Sequence, residues 1–318
     1  MHKSSQPSHK ELITFLIIGV IAASTGASFI RLSQSEGASS FVIAAARLLI
    51  ASIIILPIIV VKYLPSIRKI NLHDWVFSIL AGFFLALHFA FWVTSLEFTP
   101  IASSVILVST TPIWVALVEI VLFREPINKM LLLGLLCALF GILIISLGDE
   151  CSWRTPALIC PQLPIFFQSK NILGNSLALL GAWAASGYLL VGKNIRNRVP
   201  LLPYIFIVYS VGALLLITIA IINHATIIGL EPKAYFWFLL LAIIPQIIGH
   251  SIFNWTLKYL PTTFISISLL GEPIGSTFLA IFLFNEIPSW MKIPGFLLLL
   301  IGIWISGRYD SSKSMITK

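Results

Sequence analysis

The chain has 318 residues, of which 58% are hydrophobic and only 10% charged, with a formal net charge of +8. Soluble domains carry about 25% charged residues, and a water-exposed globule of this size could not cover its surface with so few. A cytosolic enzyme, a nucleic-acid binder and a disordered scaffold are therefore excluded, and the basic residues argue against a polyanion partner because they sit at the ends of apolar runs rather than in a patch.

A bilayer core is crossed by roughly 20 apolar residues in a helix. Ten windows meet that length: 12–30, 41–61, 75–96, 101–122, 130–147, 172–192, 201–222, 235–256, 262–284 and 289–306. The prediction is an all-α membrane protein with ten transmembrane helices, short joints and antiparallel neighbours; the runs are too long and too uniform for barrel strands. Lys3 and Lys10 ahead of the first window also permit a signal-peptide reading, which would leave nine helices. Lys and Arg set the orientation. With the N-terminus inside, fourteen fall on inner segments and five (Arg31, Arg154, Lys170, Lys233 and Lys292) on outer ones, which places both termini in the cytoplasm.

Taken in chain order, the second window holds a lone cation, Arg47. The third carries His88, Trp92 and Ser95 at i, i+4 and i+7, one helix face. The fourth contains Thr111-Pro112, with Ser103 and Thr110 as a polar line, Glu119 near its inner end and Glu125 closing it. Gly134 and Gly141 in the fifth share a face suited to close helix contact. The outer loop, 148–171, has Cys151 and Cys160, which either form a bridge in an oxidising compartment or stay unpaired; Cys137 reads as core. Tyr188 and Tyr209 follow in the sixth and seventh windows, with Trp114 and Trp183 as further aromatics near the bundle interior. Gln246, His250 and Asn254 line one face of the eighth. In the ninth, Glu272 lies mid-span with Ser268 and Ser276 at i−4 and i+4, directly before Pro273. A charge at that depth costs on the order of 2.5–3.5 kcal/mol, so a cavity or a polar partner is expected around it. Trp290 and Trp304 read as interface anchors.

The chain repeats itself. A shift of 161 residues lays Pro100 on Pro261, Pro112 on Pro273, Glu125 on Glu286, Gly134 on Gly295 and Gly141 on Gly302; one residue more pairs His88 with His250 and Phe91 with Phe253. Each half then holds five spans, and an odd number turns the second copy upside down. The domains expected are a cytoplasmic tail (1–11), a first five-helix repeat (12–147), the outer loop (148–171), a second repeat (172–306) and a cytoplasmic tail (307–318). Inverted repeats around a midplane site are a transporter design.

These features resemble the drug/metabolite transporter superfamily and, within it, the EamA-type exporters, over about residues 11–307. Thr111-Pro112 and Phe123-Arg124-Glu125 in the first half, and Gly271-Glu272-Pro273 and Phe284-Asn285-Glu286 in the second, carry the likeness. The resemblance implies a central cavity enclosed by the first four helices of each half, with the fifth and tenth at the periphery.

Proline removes a backbone donor and frees the carbonyl four residues earlier, here those of Val108 and Leu269. Pro112 and Pro273 are therefore expected to be either kinks or hinges. Glu272 is expected to bind a substrate amine or a transported proton, or to support the kink. Arg47 is open to three readings: it pairs with Glu272, holds a substrate carboxylate or snorkels outward. The substrate-binding set is Arg47, His88, Trp92, Thr110, Tyr188, Tyr209, Gln246, His250, Asn254, Ser268 and Glu272. No metal is expected, since no carboxylate or thiolate shares the histidine faces, and no cofactor. The expected activity is export of a small polar or amphipathic metabolite, an amino acid first, from a multi-pass protein of the inner (plasma) membrane. Protons are the candidate coupling ion, and the protein is a monomer or a homodimer. The alternatives are a nucleotide-type cargo, for which one cavity cation is too few, a lipophilic cation or drug, and, remotely, a membrane-embedded enzyme, for which no paired acids or His-Glu-x-x-His pattern exist.

Overall fold

The computed structural model describes residues 7–123, 129–154, 157–260 and 262–314. Arg124, Glu125 and Pro261 lie outside the described residues. Among the rest, nine helical stretches are long and apolar enough to cross a membrane: His9–Ser35, Ser40–Arg68, Leu72–Phe98, Ile101–Val118, Leu132–Glu150, Lys170–Arg196, Leu201–Ile222, Pro232–Thr256 and Phe264–Phe284. Where the tenth window was expected, the apolar stretch is shorter, Trp290–Gly302.

Polar residues start these helices where the sequence places them. Ser8 accepts from the Glu11 amide while Glu11 bonds back to Ser8, a capping box on α1 (His9–Ser24). Ser39 caps α3 (Ser40–Ile58), Asn71 caps α5 (Leu72–Phe98), and Ser169 caps α10 (Lys170–Arg196), each accepting from the amide three residues on. Large side chains such as Ile53, Val61, Leu214 and Phe282 stand exposed on the outer faces, as lipid contact requires. Small residues bring other faces together. Between α8 (Lys129–Glu150) and α16 (Ile293–Ser314), a Cβ on Gly141 would meet the Gly295 carbonyl at 2.8 Å, and one on Gly302 would meet the Gly134 carbonyl at 2.6 Å. Nothing larger than hydrogen fits there.

Several spans are broken inside. The first divides at Thr25 into α1 and α2 (Gly26–Ser35). The fourth divides into α6 (Ile101–Val108) and α7 (Thr111–Phe123), and the ninth into α14 (Thr262–Ser268) and α15 (Gly271–Phe284), one turn before Pro112 and Pro273. The eighth begins as α12 (Pro232–Leu241), widens into a π-helical stretch, Ala242–His250, containing Pro245, and ends as α13 (Ser251–Thr256). Between α8 and α10 a short antiparallel hairpin, β1 (Ser152–Arg154) and β2 (Ala157–Ile159), is closed by a Cys151–Cys160 disulfide. Of the two readings open for these cysteines, the structure takes the bridge.

Candidate functional site

Three of the broken spans, the fourth, eighth and ninth, meet at one cavity. Five segments supply its wall. His88 and Trp92, one turn apart on α5, give a stacked pair with ring centroids 5.7 Å apart. The α6–α7 break contributes Val108, Ser109 and Thr111; α10 contributes Ala185, Tyr188 and Leu189. His250 and Phe253 come from the end of the eighth span, and Ser266, Leu269 and Glu272 from the α14–α15 break.

Local chemistry explains the breaks. Pro112 cannot donate to the Val108 carbonyl, and the Thr111 hydroxyl donates to it instead at 2.9 Å. The Thr110 amide and hydroxyl both donate to the Leu107 carbonyl, at 3.1 and 2.7 Å, which tightens the turn. At the second break the Glu272 amide donates to the Leu269 carbonyl at 2.9 Å, the group freed by Pro273. Backbone that leaves the helix inside a membrane must be satisfied in this way. A further tie comes from α1: the Ser276 hydroxyl donates to the Ser24 carbonyl at 2.9 Å, and the Ser24 hydroxyl donates to the Glu272 carbonyl at 3.4 Å. These bonds fix the backbone of Glu272. Its carboxylate, by contrast, has no hydrogen bond or ion pair with any described residue and lines the cavity.

Of the residues expected at the site, the structure brings Glu272, His88, Trp92, Tyr188 and His250 to the cavity wall. The His88 Nδ1 lies 2.9 Å from the Gly181 carbonyl, and the His88 and His250 ring centroids are 6.5 Å apart. Three more stand one layer behind. Asn254 donates to the Tyr188 hydroxyl and, at 2.8 Å, to the His250 carbonyl. Tyr209 is fully buried and donates to the Gln246 carbonyl at 3.4 Å. Gln246 accepts from the Arg47 Nε at 2.6 Å.

Arg47, Thr110 and Ser268, also expected at the site, do not line this cavity. Arg47 is 1% exposed, so it does not snorkel, and it makes no ion pair with Glu272; its guanidinium lies 4.1 Å from the centroid of the Phe89 ring, behind the wall. Thr110 turns its hydroxyl to Leu107 and accepts from Trp114 Nε1 at 3.2 Å, leaving the cavity to Thr111. Ser268 bonds its own helix at Phe264 and borders an apolar groove against Ile13, Leu16 and Val20. The i−4 spacing from Glu272 assumed an unbroken helix, and the break rotates Ser268 away and brings Ser266 in. Ser103 likewise serves a different network, accepting from Lys292 and donating to Asp149. Trp183 is exposed on the outer surface.

Sequence reasoning missed Ser109, Ser266 and the π-helical turn. The hydroxyl residue directly before Pro112 was a readable signal for Thr111, and Pro245, four residues after Leu241, was one for the turn that sets Gln246 and His250. Among the described residues, no three His, Cys, Asp or Glu side chains gather closely enough to hold a metal ion.

A family model for the EamA-like transporter family matches residues 10–147 and 172–308. The chain is 22% identical over 281 residues to an uncharacterized transporter of Archaeoglobus fulgidus, covering 87% of this chain and 91% of that protein. A solved crystal structure, 18% identical, superposes with a TM-score of 0.63 over 94% of this chain and 97% of its own, a likeness of fold.

Proposed function

The chain belongs to the EamA-like transporter family, and from that premise we propose that it is a secondary transporter moving a small polar or amphipathic metabolite bearing an amine, an amino acid in the first instance. One observation carries the substrate reading. Glu272, the only carboxylate among the described lining residues, faces the cavity without a partner, beside Trp92, Tyr188 and Phe253. An unpaired carboxylate at mid-membrane is unfavourable, and a cargo ammonium with aromatic walls around it relieves that. Pro112 and Pro273 act as hinges, because each stands at a helix break on the cavity wall whose carbonyls are held by local groups rather than by the helix ladder.

Alternating access would come from two inverted five-helix halves, 12–147 and 172–306, rocking about the cavity. The family model's match to two separate segments supports this division, as do the reciprocal Gly141–Gly295 contacts. The direction is outward across an inner (plasma) membrane with both termini in the cytoplasm, and the disulfide supports an oxidising compartment for the loop that carries it. A lipophilic-cation cargo is the second reading, favoured by a lining with one acid and, among the described residues, no Lys or Arg.

Purified protein in liposomes, tested with a panel of labelled amino acids, is expected to show saturable flux of at least one; none at all would sink the amino-acid reading. Protons are the proposed coupling ion, with Glu272 as carrier. In the Glu272→Gln variant, uptake driven by a proton gradient is expected to fall at least tenfold, and whatever cargo exchange is left is expected to be independent of pH. Undiminished gradient-driven uptake in that variant would reduce Glu272 to a structural role.

A further inference from the structure

Arg47 is the largest fully buried side chain among the described residues. It sits in α3, its Nε on the Gln246 amide oxygen and its guanidinium against the face of Phe89. Its Nη1 is buried with no partner among the described residues, and no described carboxylate lies within ion-pair distance. A neutral amide and a ring face leave that charge only partly compensated. The Phe89 ring in turn lies 5.4 Å from His250, which lines the cavity. One layer of side chains therefore separates a permanent cation from the space into which Glu272 presents a free carboxylate.

Charges buried in a membrane protein act over distances at which surface charges are screened out. The other buried cation nearby, Arg196, closes α10 and donates to the carbonyls of Asn254 and Val199. Asn254 lies in the last turn of α13, whose partial negative charge offsets Arg196, and Val199 lies in the turn between α10 and α11. Counting His88 and His250 as neutral, the charge held around the empty cavity sums to zero. A cargo of no net charge preserves that balance. A cation of the same shape would add an unmatched positive charge in a medium that cannot screen it.

We propose that Arg47 is a specificity-determining residue that never touches the cargo: acting from behind Phe89, it selects a zwitterion over the amine of the same skeleton. This rests on the transporter reading above, and it separates the two cargo classes that the lining alone leaves open. Glu272 holds the ammonium common to both molecules. Arg47 makes the carboxylate worth having.

The test uses proteoliposomes at neutral pH and amino acids each paired with its decarboxylated amine. The wild type is expected to favour the amino acid at least tenfold. Arg47→Gln, which keeps a donor for Gln246, should reverse that preference, and Arg47→Lys should retain it. Adding Glu272→Gln to Arg47→Gln returns the interior to zero charge and should restore preference for the amino acid at a lower rate, a rescue that a packing defect would not show. Should Arg47→Gln fail to fold, the Lys variant and Glu272→Gln alone still decide: the first must hold the wild-type ratio, and the second must lower amine flux further relative to the amino acid. An unchanged ratio in folded Arg47→Gln, or a tenfold change in Arg47→Lys, overturns the proposal. Wild-type flux of amines alone overturns it and leaves the transporter reading standing, whereas no flux of either member of any pair removes the amino-acid reading and this inference together.

Discussion

The two ends of the molecule are held in different ways. Helix α5 fixes which residues belong to which end, since its 27 residues span about 40 Å, with Asp74 in its first turn and Thr99 just past its last. At the Thr99 end, beside the disulfide hairpin, polar groups form one continuous network. Arg31 pairs with Glu286 at 3.0 Å and donates to the Thr99 carbonyl at 3.1 Å, and Glu286 accepts from the Ile101 amide at 2.8 Å. The Thr99 hydroxyl donates to Asn175, which donates to Asp149, and Asp149 pairs with Lys292 at 2.6 Å. The last two side chains are only 1% and 5% exposed. At the opposite end the one charge pair found between Asp and Arg or Lys among the described residues is Asp74–Arg198 at 2.7 Å, with Arg198 48% exposed. The Asp74 carboxylate holds the Arg198 guanidinium above its ordinary value, and water reaches that bond from the Arg198 side, the Asp74 side chain being only 5% exposed. One end is knit by a buried ion pair and the links around it, while at the other Arg196 ties α10 to the Asn254 carbonyl and the ion pair has one half-exposed partner. A bundle built this way opens at lower cost where its charges are already hydrated.

Breaking the buried pair should have the largest effect. Lys292→Met or Asp149→Leu alone leaves a desolvated charge, and a loss of about 3–5 kcal/mol is expected, seen as a lower Tm in detergent. The double replacement should recover much of that loss, because burying two apolar groups of similar volume removes both charges at once. If the double variant were no more stable than the singles, the pair would not be the thing that holds this end. Next comes the partly exposed link. Glu286→Gln removes the Arg31 ion pair and weakens the bond from Ile101, a change of about 1–3 kcal/mol for charge-assisted hydrogen bonds. A cysteine introduced at Ser109 should also become more reactive to a water-soluble thiol reagent added from the disulfide side. Unaltered labelling would mean that this network does not gate the cavity.

Much of the architecture was legible in the sequence because apolar run length is a direct physical requirement of the bilayer. Glu272, His88, His250, Trp92 and Tyr188 could be picked out for the same kind of reason, as polar or amphipathic groups where lipid tolerates few. What stayed hidden depended on register. Lys292 read as an outer-segment charge, yet the glycine spacing that marks α8 continues to Gly148, where a Cβ would meet the Lys292 side chain at 2.6 Å. That third glycine, seven residues after Gly141, was the available sign that Lys292 lies down along α8 toward Asp149. Ser268 was misplaced because helical spacing fails across a break, and the length of the gap after Ser268 follows from tertiary ties to α1 that no local pattern encodes. Arg47 was ambiguous for a different reason. Its partner is Gln246, held at that angle by a π-helical turn, and turns of this kind have no reliable sequence period.

The smallest effect is expected at the hydrated latch, and it tests the contrast most directly. Arg198→Gln should lower the Tm in detergent only slightly at physiological salt, because the Arg198 side of the pair is screened there and the Asp74 carboxylate keeps its bonds to Asn71 and His73. At ionic strength near 0.01 M, where the Debye length grows to about 30 Å, the wild type should become measurably more stable than the variant. The salt dependence should appear only at this end, since Lys292 and Asp149 are out of reach of the ions and their variants should lose the same stability at low and high salt. A fall in Tm for Arg198→Gln that matches Lys292→Met and ignores salt would show that both ends are knit alike, and the asymmetry between them would then say nothing about which side of the bundle yields first.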